Sequence, residues 1–189
     1  CDGENVSPCE AGGERRCGAV QAKFGEIHVR ADVPNFLRGT PPYDEYGGHA
    51  EFRNSRPQLQ GRETICVAIT IPKKVPPRGG WPTVIFAHDL GGHFRSGITS
   101  GLAETLADAG WATVSYDGVL HGTRFGLDSQ PSPEQIAQRL MDLERPGLLR
   151  DQAVQGAADL HSLTWMVESH GFIPAENPNT LSPTQIAFI

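Results

Sequence analysis

The sequence predicts a three-layer α/β fold with a mostly parallel sheet, which is incomplete within these 189 residues. Residues 84–87 form a continuous apolar run of the kind found in strands buried on both faces. Helical patterns of roughly 10–20 residues alternate with strand patterns from residue 62 onward, as they do when crossover helices join parallel strands. The last apolar run, residues 185–189, has the character of one more core strand.

The first half of this alternation of strands and helices, up to residue 110, is indicated by β-branched and apolar runs separated by turn residues. Residues 64–71 are a β-branched run that ends before a proline, and residues 73–80 are a Pro- and Gly-rich turn region. The apolar strand at 84–87 follows. A helix is predicted over 98–109, because apolar residues recur there at helical spacing and Gly110 follows as a stop signal. These residues are Ile98, Leu102, Leu106 and Ala109.

The second half contains one further strand, a long loop and two helices. Residues 111–116 are the strand, and residues 117–133 are the loop. A short helix is predicted over 133–143 and a longer one over 148–170. The longer helix should bury one apolar face, made of Leu149, Ala153, Val154, Ala157, Leu160, Leu163 and Val167. A polar turn at 174–185 then leads to the final strand.

Residues 1–61 predict an N-terminal extension with short strands and turns, packed on the α/β half at 62–189. This segment is rich in Gly, Pro and charge, and its apolar patches, such as 27–29, are short. Residues 31–34 and 39–42 have the composition of turns.

The four cysteines suggest an exported protein. Cys9 and Cys17 lie eight residues apart, and a disulfide between them would close a short loop. Four cysteines allow three pairings, however, and the sequence does not choose among them. Cys66 lies in an apolar run, which predicts a buried, unreactive thiol.

The first residue, Cys1, has two explanations. A mature chain that begins with cysteine resembles a bacterial lipoprotein, in which this thiol carries the lipid that anchors the protein to a membrane. The alternative is a chain boundary left by trimming. In the first case we expect an exported protein that is extracellular, periplasmic or attached to the outer surface.

Composition and motifs exclude several function classes. A net charge of −6, with lysine and arginine scattered, argues against a nucleic-acid partner. No apolar run reaches the roughly 18 residues of a membrane-spanning helix. The sequence contains no HExxH metal motif, no GxxxxGK[ST] phosphate loop and no GxGxxG motif, so no metal and no cofactor is predicted.

Three segments, in this order, resemble the N-terminal half of an α/β-hydrolase. Within that superfamily, the predicted helix with residues 150–154 (RDQAV), Asp159 and Leu160 is similar to one in exported bacterial lipases and esterases. Residues 86–92 (FAHDLGG) are similar to the oxyanion loop that follows the third strand of that family. Residues 111–122 are similar to its fourth strand and D-x-x-G-H-G loop, and residues 184–189 to its fifth strand. Asp89 and Leu120 stand where the family usually has glycine. No G-x-S-x-G nucleophile elbow occurs in the chain.

The resemblance implies roles for particular residues. The oxyanion donor would be the backbone N–H of Leu90, or alternatively that of Asp89. His88 would orient the loop as a structural residue. The residues that would border the substrate are Gly91, Gly92, His93 and His121.

Asp117 and His121 could be mistaken for a catalytic acid and base. The family takes its acid and base from later strands, so a turn-stabilising aspartate and a histidine in the cleft wall are the expected roles. Ser96, Ser100 and Ser115 lack the glycines of an elbow and are expected to be cap, turn or strand residues.

Two functions remain open. In the first, the chain is part of a serine ester hydrolase, and a complementing C-terminal polypeptide carries the Ser-His-Asp triad. An ester or lipid would be the substrate. The residues that could form an apolar entrance are Val119, Leu120, Phe125 and Leu127, although core or lid packing explains them equally well. In the second, the chain is a non-catalytic binding or surface protein on the same scaffold.

Overall fold

The computed structural model describes residues 1, 7–9, 13–43, 47–126 and 131–189. The strands are β1 Phe24–Asn35, β2 Phe52–Arg53, β3 Arg56–Pro57, β4 Gly61–Pro72, β5 Trp81–Phe86, β6 Ala112–Tyr116 and β7 Leu181–Phe188. The α-helices are α1 Ser96–Thr99, α2 Leu102–Asp108, α3 Pro133–Leu140 and α4 Pro146–Glu168. Short 3₁₀ turns lie at Gly13–Arg15 and Gly122–Phe125.

The main sheet has five strands in the order β1-β4-β6-β5-β7. The β6, β5 and β7 strands are parallel, while β4 runs antiparallel to both of its neighbours. The expectation of a mostly parallel sheet is therefore wrong, although the α/β class is correct. The described residues of the connection at 36–60 form no crossover helix, and β4 returns antiparallel to β1.

Helices cover both faces of this sheet, which makes three layers. Val67 on β4 packs in one core with Leu163 and Val167 of α4. Its neighbour Ala68 points to the opposite face, where it contacts a second core that includes Ile98 of α1. Side chains that alternate along a strand face opposite layers, and each layer here has its own apolar cluster.

The first strand corrects the sequence prediction. Residues 31–34, which have the composition of a turn, lie inside the 12-residue strand β1 and pair with 62–65 of β4. Ala31 and Val33 are buried, and Pro34 is tolerated because β1 is an edge strand. The main sheet therefore extends across the predicted boundary at residues 61 and 62.

The predicted helices are present with shifted bounds. The helix expected over 98–109 is divided into α1 and α2 at Gly101, which has a left-handed φ of 81°. The α3 helix begins with a capping box between Ser132 and Gln135 and ends three residues earlier than predicted. The last strand begins at Leu181, several residues before the predicted start.

The buried face of α4 is not the predicted one. Leu163 and Val167 are buried, but Leu149 is 51% exposed. In the first four turns the buried residues are Leu148 and four polar residues: Asp151, Gln152, Gln155 and Asp159. Asp151 accepts the Ala50 N–H at 3.0 Å, and Gln155 donates to Asp159, so these groups are compensated for the loss of water. The Oε1 atom of Gln152 is buried and has no partner among the described residues.

Two disulfides constrain the N-terminal segment, one within it and one to β4. One joins Cys1 to Cys17 and the other joins Cys9 to Cys66. The Cys9–Cys17 pairing is therefore not formed, and the expectation of a free thiol at Cys66 is wrong. Because Cys1 Sγ is bonded to another sulfur, a lipid thioether on Cys1 and this disulfide exclude each other.

Candidate functional site

The parallel strands create a crevice at their carboxyl ends. The chain leaves β5, crosses through α1 and α2 to β6 on one side, and returns through α4 to β7 on the other. Strand order thus reverses at β5, and ligands of open α/β sheets bind outside the carboxyl ends of strands at such a switch point. Here the loop after β5 (87–95) lies beside the loop after β6 (117–122) and beside Ile189, whose carbonyl accepts the Ala87 N–H at 2.8 Å.

The first part of the 87–95 loop presents backbone donors. Within the described residues, the amides at positions 88–90 have no acceptor, whereas those at 91–94 each have one. Both residues predicted as oxyanion donors, Asp89 and Leu90, fall in the open segment. Leu90 is 41% exposed, so the loop is open to solvent at this residue.

Two histidines connect the loops reciprocally. His88, in the loop after β5, accepts the Gly118 N–H through Nε2 at 3.0 Å. His121, in the loop after β6, accepts the Gly91 N–H through Nε2 at 3.1 Å. Each ring also lies 2.8 Å through Nδ1 from a carbonyl, which fixes both as neutral Nδ1–H tautomers. The two ring centroids are 4.6 Å apart.

The surroundings keep both rings neutral. Burial lowers the pKa of His121 to about 4, and the neighbouring His88 acts in the same direction. Burial also lowers the pKa of His88. His88 and His121 therefore accept from backbone amides and have no nitrogen left for a substrate in this arrangement.

Gly91 and Gly92 are required by close packing. Gly91 has a left-handed φ of 83°, and an added Cβ would lie 2.7 Å from Pro133. An added Cβ at Gly92 would lie 2.7 Å from the Cβ of His88. Glycine at 91 lets the loop lie against Pro133 of α3, and glycine at 92 lets the loop fold closely on its own His88.

Asp117 joins three segments and is fully buried. Its carboxylate accepts both terminal nitrogens of Arg15, at 2.7 and 2.6 Å, and the Phe94 N–H at 3.0 Å. An N-terminal arginine thus holds the ends of both loops. These contacts are those of a structural residue, and no hydrogen bond or ion pair joins the aspartate to His121 in the described structure.

His93 lies away from the open amides. Its ring is 5% exposed, its Nδ1 accepts the Arg95 N–H at 3.1 Å, and its Nε2 is 3.7 Å from Glu14. Burial lowers its pKa. The structure therefore brings Leu90, Gly91 and His121 together and directs His93 toward the N-terminal segment.

A buried ionic network, which the sequence analysis missed, supports the loop after β6. Arg124 donates to Asp159 at 2.6 Å, to Glu63 at 2.9 Å and to the Asp117 carbonyl at 3.1 Å. Gln155 donates to the other oxygen of Asp159 at 2.8 Å. Burial raises the pKa of Asp159, and the neighbouring Arg124 opposes that shift. The four-residue spacing of Asp151, Gln155 and Asp159 is the only sequence signal of this polar helix face.

The predicted apolar entrance is a core instead. Leu120 and Phe125 are 1% and 3% exposed and pack with Leu37 and Ile136, while Val119 lies against the same cluster. These residues fill the space between the N-terminal half and α3. Leu127 lies outside the described residues.

The serines near the loop have local partners. Ser96 accepts the His93 N–H at the start of α1, and Ser115 in β6 donates to the Phe94 carbonyl. Elsewhere, Ser7 lies 2.7 Å from Nδ1 of His28, whose Nε2 is 2.6 Å from Glu26.

This Ser-His-Glu chain does not favour a nucleophile. Arg95 binds the Glu26 carboxylate at 2.5 Å and competes with His28 for it. Ser7 also accepts the Cys9 N–H at 3.1 Å. The hydroxyl oxygen and the carboxylate are therefore both occupied by other donors.

A cavity of about 430 Å³ lies at the opposite edge of the sheet. It is lined by residues at the start of β1 and the end of β4, including Gly25 and Pro72, and by Phe172 and Asn177. Because β4 runs antiparallel to β5, this cavity is at the amino ends of the parallel strands. It is separate from the loops at their carboxyl ends.

Comparisons of the chain with protein-family models, with curated proteins and with solved structures give no significant match. Among the described residues, no helix combines the length and the apolar character needed to cross a membrane.

Proposed function

We propose that this chain is part of a serine ester hydrolase of the lipase or esterase type and supplies its oxyanion loop. The open amides at 88–90, beside the carboxyl end of β7, are the observation that carries the proposal. In acyl transfer, donors aimed at the carbonyl oxygen stabilise the charge of the tetrahedral intermediate. The Leu90 N–H is the proposed donor, with that of Asp89 as the alternative.

The strand sequence supports the resemblance to α/β-hydrolases. Counted along the chain within the main sheet, β5, β6 and β7 are the third, fourth and fifth strands. The family has its oxyanion loop after the third strand and its nucleophile elbow after the fifth. Because β7 is hydrogen-bonded to β5, an elbow that follows β7 would start next to the open amides.

The free edge of β7 is the proposed docking place for the rest of the enzyme. No strand of the described residues covers this edge, and Phe188 and Ile189 are 55% and 59% exposed. Exposed apolar side chains on an unpaired strand edge favour the addition of another strand. The triad serine, aspartate and histidine would come from this complementing polypeptide.

We further propose that the protein is exported, to the periplasm or outside the cell. Two disulfides persist in oxidising compartments and are rare in the cytosol. The substrate would be an ester or lipid.

A non-catalytic binding or surface protein is the second candidate. The contacts of His88 and His121 favour it, because both rings use both nitrogens on the backbone and neither is left as a base. This alternative predicts no hydrolysis in any assembly that contains the chain.

A pair of substitutions at Leu90 tests the oxyanion role. In the assembled enzyme, Leu90→Pro removes the donor, and the rate constant kcat for an aryl ester should fall about 10²–10³-fold. Leu90→Ala keeps the backbone N–H and serves as the control, with kcat close to that of the wild type. Equal rates for the two variants would refute Leu90 as donor, and Asp89→Pro then tests the alternative.

A further inference from the structure

Three potential metal ligands lie together in the N-terminal segment, away from the proposed hydrolase site. They are Cys1, Cys17 and His28, whose ligand atoms all lie within 4.8 Å of one another. Cys17 and His28 are buried and Cys1 is half-buried. In the described structure the two sulfurs form a disulfide, and Cys17 Sγ is 3.9 Å from Nδ1 of His28.

We propose that Cys1, Cys17 and His28 form a zinc-binding site when the disulfide between the two cysteines is reduced. Two thiolates and one imidazole are ligands that favour Zn²⁺ among the divalent metals of cells. Three protein ligands leave the fourth tetrahedral position to water. The N-terminal segment would then be held in one of two ways: by the disulfide in the oxidised protein, or by zinc coordination that includes His28 of β1 in the reduced protein.

The distances need only small changes. Zn–S bonds of about 2.3 Å in a tetrahedral site put two sulfurs about 3.8 Å apart. The Cα atoms of Cys1 and Cys17 are 5.3 Å apart, so rotation of the side chains can separate the sulfurs to that extent. The present 3.9 Å between Cys17 Sγ and the His28 ring is already close to a tetrahedral edge.

The histidine is already oriented as a ligand. Its Nε2 is 2.6 Å from Glu26, so this nitrogen carries the proton and Nδ1 presents its lone pair toward the cysteines. A carboxylate on the far nitrogen is the usual support of a zinc-bound histidine. The Ser7 hydroxyl, 2.7 Å from Nδ1, now occupies that lone pair and would give way to the metal.

The charges of the site balance. Two thiolates neutralise one Zn²⁺, and Arg95 neutralises Glu26 through contacts of 2.5 and 3.2 Å. Pairing opposite charges in this way lowers the cost of burying them.

The switch is a two-electron reduction. A phosphine reductant takes oxygen from water to become the phosphine oxide, the S–S bond breaks, and the two protons of that water form two thiols. When Zn²⁺ binds, both thiol protons leave to the buffer.

The experiment measures zinc bound per chain with the phosphine present and absent. We expect one zinc in the reduced protein and none in the oxidised protein. Cys1→Ser should weaken binding at least tenfold, and Glu26→Gln should weaken it about 10–100-fold by loosening the histidine. The matched control is the Cys9→Ser, Cys66→Ser double variant, which keeps all three ligands and should bind as the wild type does.

The result that overturns the proposal is equal zinc binding by reduced wild type and by the Cys1→Ser, Cys17→Ser double variant. Circular dichroism keeps the test decisive if reduction unfolds the chain. Zinc must then restore the folded spectrum of the wild type and of the Cys9, Cys66 control, but not that of Cys1→Ser. Failure to refold the wild type also refutes the site.

Discussion

The backbone N–H of Gly91 donates to Nε2 of His121 across 3.1 Å, so the loop after β5 is held by a side chain from the loop after β6. The contact between Gly118 and His88 holds the same loops in the opposite direction. Both acceptors work only while the imidazoles are neutral. The position of the open amides beside them therefore depends on two histidine protonation states.

Acid should release this connection. The pKa of His121 is about 4 in the folded chain and 6.5 in the unfolded chain, so the unfolded state takes up the proton first as pH falls. The contribution of neutral His121 to the free energy of unfolding is therefore fully present above pH 6.5. It is lost as the pH falls to about 4, and the total loss is on the order of 3 kcal/mol.

Urea unfolding at several pH values between 7 and 4 measures this effect. His121→Gln should flatten the dependence on pH, whereas His161→Gln, at an exposed position on α4, should leave it unchanged. Identical slopes for wild type and His121→Gln would contradict the assignment.

The buried arginine should be far more important for stability than an exposed one. Arg124→Met leaves Asp159 and Glu63 without their cation, and removal of one partner from a buried ion pair costs about 3–5 kcal/mol. Arg38→Met breaks an exposed pair with Glu51 and should cost about 1 kcal/mol or less. Denaturant unfolding of the two variants compares them directly. Similar losses would mean that the Arg124 network is not a structural support.

Two glycines should respond to alanine in opposite directions. At Gly92 the new Cβ would lie 2.7 Å from His88, so we expect a loss of about 1–3 kcal/mol in the free energy of unfolding. At Gly156, inside α4, nothing lies within 4 Å, and alanine should stabilise the helix by about 0.5–1 kcal/mol. Thermal unfolding of both variants gives the sign. A stable Gly92→Ala protein would show that the loop is less tightly packed than described.

Peptide mapping under non-reducing conditions should yield the two cross-links Cys1–Cys17 and Cys9–Cys66. The second closes a loop of 57 residues, so its loss by Cys9→Ser and Cys66→Ser should cost about 4 kcal/mol in the chain-entropy account. A peptide that joins Cys9 to Cys17, or a lipid on Cys1, would contradict the described connectivity.

Local patterns were sufficient for the central elements. Apolar runs, helical spacing, and flanking proline and glycine are signals that act within a few residues. They were enough to predict three strands, at 64–71, 84–87 and 111–116, and the helix near 148–170. The 24–35 strand was not predictable, because it is an edge strand whose charged and polar residues interrupt the apolar pattern.

Other features depend on partners far along the chain. The burial of Arg124 and Asp159 requires charges that meet only in the folded protein, and helical spacing alone assigned α4 an apolar face. The pairing of Cys9 with Cys66 joins segments that are 57 residues apart. Leu90 and Asp89 were singled out as backbone donors through the resemblance to α/β-hydrolases, and no local sequence pattern would have identified them.

The most direct test of the central claim is a denaturing intact mass of the native assembly, with and without a fluorophosphonate probe. The account predicts that the probe adds its mass to a polypeptide that contains a G-x-S-x-G motif, whether it is a separate chain or a continuation of this one. The result that would contradict it is a single 20.4 kDa species that the probe does not modify, or one modified at Ser7.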